Sequence, residues 1–124
     1  MLFNEGIAVA FQVSYPNTDF IPGWNGQDFN LLSRNYKQDN KLPPLQDLIG
    51  TNTFGNYDSN ITYPVSGSFV RFLIDKYGIE KMKGYTKLSQ FEDSKDKIET
   101  NFKEIYTITL ESAWNSWNEF ISHY

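Results

Sequence analysis

One stretch does most to limit how this chain can fold: Leu2-Phe3-Asn4-Glu5-Gly6-Ile7-Ala8-Val9-Ala10-Phe11. Seven of these ten residues are apolar, and at helical spacing they run right round the wheel. A helix that is apolar on all sides is normally buried on all sides. Glu5 stands in its first turn. A carboxylate removed from water is costly unless a cation or hydrogen-bond donors meet it. The stretch therefore asks for cover around the helix and a partner for Glu5, and the residues that follow offer no obvious candidate for either.

The pattern predicts this first helix over about Phe3 to Gln12, ended by Tyr15-Pro16-Asn17. A loop rich in turn residues follows to Gly26. A second helix is expected from Gln27 to Gln38, with Phe29, Leu32 and Tyr36 at helical spacing. Pro43-Pro44 at the start and Gly50 after the end mark a short helix between them. Thr51 to Ile61 reads as loop. The clearest helix runs from Pro64 to Tyr77, with Phe69, Val70, Leu73, Ile74 and Tyr77 in one stripe and Gly78 at its close. Another starts near Ile79, with Met82, Tyr85 and Leu88 at three-residue steps, and the next covers about Asp93 to Tyr106. The last runs from Leu110 to about Ser122 behind Thr109 as N-cap, burying Leu110, Trp114, Trp117 and Ile121, with Tyr124 as a candidate addition. Strand signals are weak throughout. The expectation is one all-α domain over 1–124, a compact bundle of about six helices with two long loops.

With 40% apolar and 17% aromatic residues the chain has ample surface to bury, which argues against disorder. A net charge of −4 with interspersed signs shows no basic patch, so nucleic acid is not an expected partner. The longest apolar run falls far short of a membrane span. The N-terminus lacks the charged and small-residue features of a signal peptide, and the compartment stays open. Without cysteine, thiolate zinc sites are excluded. The single histidine, His123, sits beside the C-terminus, a poor place to hold a catalytic base. No phosphate loop and no His-Glu-x-x-His pair occurs. The chain by itself carries no complete active site.

The run Asn4-Glu5-Gly6-Ile7-Ala8-Val9-Ala10-Phe11-Gln12 nevertheless resembles the third-ligand helix of the gluzincin zinc metallopeptidases. These are the thermolysin-like enzymes, including the M1 aminopeptidases and the peptidase MA-like group. Ile61-Thr62-Tyr63-Pro64-Val65-Ser66-Gly67-Ser68-Phe69, running on to Lys76-Tyr77-Gly78-Ile79-Glu80-Lys81, is similar to that group's tyrosine, small-residue and helix segment. Tyr106-Thr107-Ile108-Thr109-Leu110-Glu111, with Trp117 and Phe120-Ile121, is similar to its closing helix. The resemblance implies that Glu5 is the third zinc ligand of a His, His, Glu site and that Tyr63 stabilises the oxyanion of peptide hydrolysis. The family's His-Glu-x-x-His helix lies upstream of the glutamate helix and is not in this sequence. The expectation is therefore the helical C-terminal part of a catalytic domain, a fragment or a truncation. Alone it is expected to be inactive and without zinc, whereas the whole would take a peptide or protein substrate.

Gly6 adds to that expectation, because a mid-helix glycine costs about 1 kcal/mol relative to alanine, a cost worth bearing where another backbone must pass close. A missing ligand helix would be such a neighbour. The face of Glu5, Ala8, Val9 and Gln12 should then lie open or be covered by a second copy, and self-association through the 3–12 face follows as an expectation. Glu5 also has a plain role as a first-turn acid against the helix dipole. Tyr63 can equally be a core aromatic at a helix start, Trp24 can line a cleft or plug its loop, and Trp114 and Trp117 read as core. Gly67 reads as a close-packing position. Two rival functions remain: a non-catalytic helical protein-interaction module using the apolar first helix, and a glycan-binding domain using Trp24 and the loop tyrosines.

Overall fold

Two helices of unlike length form the centre of the protein, and the rest is arranged around their crossing. In the computed structural model residues 1–11, 23–90 and 92–124 are described. α1 spans Leu2–Phe11. A two-residue hairpin, β1 (Gly23–Trp24) and β2 (Gln27–Asp28), leads into α2 (Phe29–Gln38). α3 (Leu45–Ile49) and a 3-10 turn at Phe54–Asn56 precede α4 (Ser59–Tyr77), which is followed by α5 (Ile79–Leu88), α6 (Lys95–Tyr106) and α7 (Leu110–Ser122). The expected all-α bundle is what forms, with seven α-helices among the described residues.

The α1–α4 contact is unusually close because each helix offers a glycine. A β-carbon on Gly6 would stand 2.6 Å from the Ser66 carbonyl oxygen and 2.5 Å from Val70 Cγ2. A β-carbon on Gly67 would run into the Val9 side chain. The backbone that requires Gly6 thus belongs to α4, within this chain, and Gly67 is the close-packing position expected of it. Around the crossing the core is continuous: Phe3, Phe69 and Phe102 from three helices, and Trp114, Trp117, Leu110 and Ile121 along the inner side of α7, are all buried.

Several boundaries differ from expectation, each for a local reason. Gln27 and Asp28 are not helical: Asn25 and Gly26 both take positive φ (51° and 80°), as a two-residue hairpin turn requires. Asp28 then caps α2 by accepting from the Asn30 amide at 2.9 Å. α4 starts five residues before Pro64, at Ser59, with the Asp58 carboxylate capping the Asn60 amide at 2.9 Å. Pro64 lies inside the helix, where it has no N–H to give the Asn60 carbonyl. That carbonyl accepts instead from the Tyr36 hydroxyl at 2.8 Å, which also ties α2 to the first turn of α4. α6 starts at Lys95 behind Ser94, whose hydroxyl accepts from the Lys97 amide at 3.2 Å. Leu88 and Tyr124 are exposed rather than core. Tyr124 reaches back to Asp28 by a hydroxyl–carboxylate hydrogen bond. Gln12 and the loop from 12 to 22 lie outside the described residues.

α7 is held on α2 by polar as well as apolar contacts. Lys37 Nζ donates to the Asn118 carbonyl at 3.0 Å and to Ser122 Oγ at 2.6 Å. Arg34 donates to the backbone carbonyl of Tyr124 at 2.8 Å. In the interior, Trp117 Nε1 donates to Ser68 Oγ at 2.9 Å, and Ser68 donates in turn to Asn30 Oδ1 at 2.6 Å. This buried relay joins α7, α4 and α2 and satisfies three polar groups that burial would otherwise penalise.

Candidate functional site

Glu5 and Tyr63 stand on the two helices of the close crossing. Glu5 is the neighbour of Gly6. Tyr63 lies one turn before Ser66 and Gly67, on the side of α4 that meets α1, since residues three and four apart share a helix face. No hydrogen bond joins the two side chains.

α1 is not buried all round. Leu2, Phe3, Gly6, Val9 and Ala10 face inward, Glu5 and Ile7 are half-buried at the borders, and Asn4, Ala8 and Phe11 form an open strip. Of the face expected to be open, Ala8 is exposed and Glu5 half-covered, whereas Val9 is buried against Gly67 and Gln12 lies outside the described residues. The Glu5 amide donates to the Met1 carbonyl at 3.0 Å. Its carboxylate makes no ion pair or side-chain hydrogen bond among the described residues. Burial pushes the Met1 amino group below its usual range, and the nearby Glu5 charge acts in the opposite direction.

Tyr63 is half-buried in an aromatic nest. The Trp24 ring meets it edge-on at 5.2 Å between centroids, and Phe54 stacks on it at 6.1 Å. The Tyr63 hydroxyl has no hydrogen bond among the described residues, and Trp24 Nε1 is buried without a partner there. Trp24 therefore packs against the start of α4 from the hairpin. His123 is exposed at the end of α7, 3.0 Å from Glu119, and plays no part in this region.

Among the described residues no three of His, Cys, Asp and Glu come together as a metal site would need. Glu5 is one carboxylate, and a zinc ion takes four ligands. The residues present do not by themselves fit the metal that the resemblance implies.

The pattern of apolar residues did not reveal two features of this surface. One is Tyr36, whose hydroxyl serves the carbonyl that Pro64 leaves free. The sequence signal was a proline in register with a helix already begun. The other is a groove between α1 and α5, lined by Ile7, Phe11, Ile79, Met82, Lys83 and Lys87. Its signal was the run of lysines from 76 to 87. Burial raises the phenol of Tyr106 far above its ordinary value, helped by Tyr85 and Tyr77, so it stays protonated within the core.

No known family model, curated protein or solved structure matches the chain.

Proposed function

We propose that the chain is the helical C-terminal portion of a gluzincin-type zinc metallopeptidase, in which Glu5 is the third metal ligand and Tyr63 the oxyanion donor. The reading rests on the resemblance of the Glu5 and Tyr63 segments to that family. One structural observation supports it most: the Glu5 carboxylate is half out of water and unpaired among the described residues, at the border of an open strip of α1. A carboxylate in that position can coordinate a metal held by another element, and although the Met1 amino group is near enough to feel its charge, the two form no ion pair. Gly6 no longer adds support, because α4 accounts for it.

The test is made on the gene product that includes the sequence upstream of Met1. The reading requires an in-frame His-Glu-x-x-His there and an extended protein that retains one zinc. Glu5→Gln should strip that zinc. Tyr63→Phe should keep it and lower kcat by about 10²-fold, the scale for loss of one oxyanion donor. An upstream stop codon, or zinc retained in full by Glu5→Gln, overturns the proposal. The chain as described here should show no sub-micromolar zinc binding by calorimetry. The interaction-module alternative draws on the same open strip of α1 and predicts no effect of Glu5→Gln on metal content.

A further inference from the structure

The α1–α5 groove differs in chemistry from three other clefts. Those between α6 and α7, beside α3, and at the α3–α7 edge carry Asp96, Glu99, Glu92, Asp93 or Glu111, with Lys103 and Lys95 in the first two, whereas no acid lines the α1–α5 groove. The α1–α5 groove, ≈ 490 Å³, has an apolar floor and walls of Ile7, Phe11, Ile79 and Met82. Met82 at the bottom is 2% exposed, while Phe11 on the lip is 44% exposed. Lys83 and Lys87 stand exposed on the α5 rim.

The rim is cationic against the trend of the molecule. Between 76 and 87 lie Lys76, Lys81, Lys83 and Lys87, four of the chain's eleven Lys and Arg, with Glu80 the single acid in that interval. Two of the four are engaged: Lys81 donates to the Ile105 carbonyl at 3.2 Å, and Lys76 lies over the Phe72 and Tyr77 rings. Lys83 has only an exposed pair with Glu80 at 3.3 Å, of a kind that contributes little. Lys87 has no ion-pair partner among the described residues. The two lysines beside the groove are therefore placed to meet carboxylates.

We propose that this groove docks an amphipathic acidic segment of a partner protein, its apolar side chains seated over Met82 and against Phe11, its carboxylates on Lys83 and Lys87. Charge and shape select this occupant. A flat anionic bilayer could meet the lysines, but its surface would not follow the apolar floor down to Met82. A two-fold pair of copies would set each rim of lysines against the other, and like charges across an interface are unfavourable. A head-to-tail contact between copies, closing into a ring or running on as an open chain, would need a second face carrying apolar side chains flanked by acids. An amphipathic helix laid in a groove satisfies both the floor and the rim. The inference makes no use of zinc, but it shares Phe11 with the open strip of α1, so an upstream helix on that strip would have to leave the Phe11 lip free.

A fluorescein-labelled synthetic helical peptide, with leucines on one face and glutamates flanking them, serves as the probe, and the same peptide with lysines in place of glutamates is its control. Fluorescence anisotropy should show saturable binding of the acidic peptide that weakens with salt and no comparable binding of the basic one. The double change Lys83→Glu and Lys87→Glu should cost at least about tenfold in affinity and reverse the preference between the two peptides. In the unaltered chain, methyl resonances of Met82 and Ile7 should move on titration, a readout that needs no variant. Absence of acidic-peptide binding, or binding that the charge reversal leaves intact, overturns the proposal. So do unmoved Met82 and Ile7 resonances. Phosphatidylserine vesicles taken up through the same lysines in place of the peptide would overturn it by assigning the face to membrane. A dimer in sedimentation that Phe11→Ser dissociates would overturn it by assigning the face to a second copy.

Discussion

α1 and α7 are both rich in apolar residues, yet they end up differently placed. α7 packs Leu110, Ala113, Trp114, Trp117 and Ile121 into the core and turns Glu111, Ser112, Asn115 and Glu119 to water. Its apolar stripe is covered by this chain, and only Phe120, beside Phe72 and Tyr124, is left exposed on its far side. α1 has more apolar surface than α4 and its neighbours can cover, and Ala8 and Phe11 are left outside. A helix with one apolar stripe describes its own packing. A helix apolar all round states only that cover exists, without saying which element supplies it. The difference also shows in how the two are fixed. α7 is secured by large side chains and a hydrogen-bonded relay, whereas α1, besides burying Leu2 and Phe3, depends on two absent side chains, Gly6 against the α4 backbone and Gly67 against Val9.

The sharpest way to break the α7 side is Trp117→Ala. It removes a fully buried indole that touches Phe69 and Trp114 and leaves Ser68 without its donor. The expected loss is about 4 kcal/mol, the scale for truncating a large buried aromatic. Urea unfolding followed by tryptophan fluorescence and circular dichroism together measures it. A loss below about 1 kcal/mol, well under that scale, would mean that α7 is peripheral rather than integral.

On the α1 side the corresponding change adds atoms. Gly6→Ala places a methyl group 2.6 Å from the Ser66 carbonyl oxygen, a backbone atom that cannot turn aside. Alanine gains about 1 kcal/mol of helix propensity over glycine, but forced separation of α1 and α4 outweighs it. The expected net destabilisation is about 2 kcal/mol. A stabilised Gly6→Ala would show that the crossing is looser than described. Smaller again is Tyr36→Phe, which leaves the Asn60 carbonyl opposite Pro64 without its donor. About 1 kcal/mol should be lost in the same unfolding measurement, and the first turn of α4, where Tyr63 sits, should exchange its amide protons faster.

What could be read from the sequence follows the same division. The stripes of α4, α6 and α7 were legible because period and burial coincide there, and Thr109 shows its capping role in spacing alone. The start of α4 was not, because Pro64 normally marks a first turn and here sits within a helix that Tyr36 repairs from another element. The hairpin was legible in principle from Asn25-Gly26, but two-residue strands leave no alternation to detect. At the candidate site, Glu5 and Tyr63 were singled out by resemblance, and no periodicity would have found them. That Gly6 answers to Ser66 depends on a contact far along the chain, which local spacing does not encode. The groove escaped notice because Met82 reads as core and the lysines read as solvated, and both readings are right for each residue taken singly.

The smallest effect bears most directly on the proposed function. Ala8 lies in the open strip of α1, between Asn4 and Phe11 and one turn after Glu5. In this chain Ala8→Gln should change stability by less than about 0.5 kcal/mol, since the longer side chain enters water and only helix propensity shifts. In the upstream-extended protein the same substitution should behave as overpacking and cost about 2 kcal/mol, because a ligand-bearing helix would lie against that strip. Paired urea titrations of the two lengths, each with and without the Ala8→Gln change, isolate the difference without reference to zinc or activity. Equal small effects in both would leave α1 open in the longer protein too, and Glu5 would then lack the neighbouring helix that a shared metal site requires. A large effect in this chain would show instead that the strip is already covered here, by a second copy or by the chain itself, and the contrast between α1 and α7 would disappear.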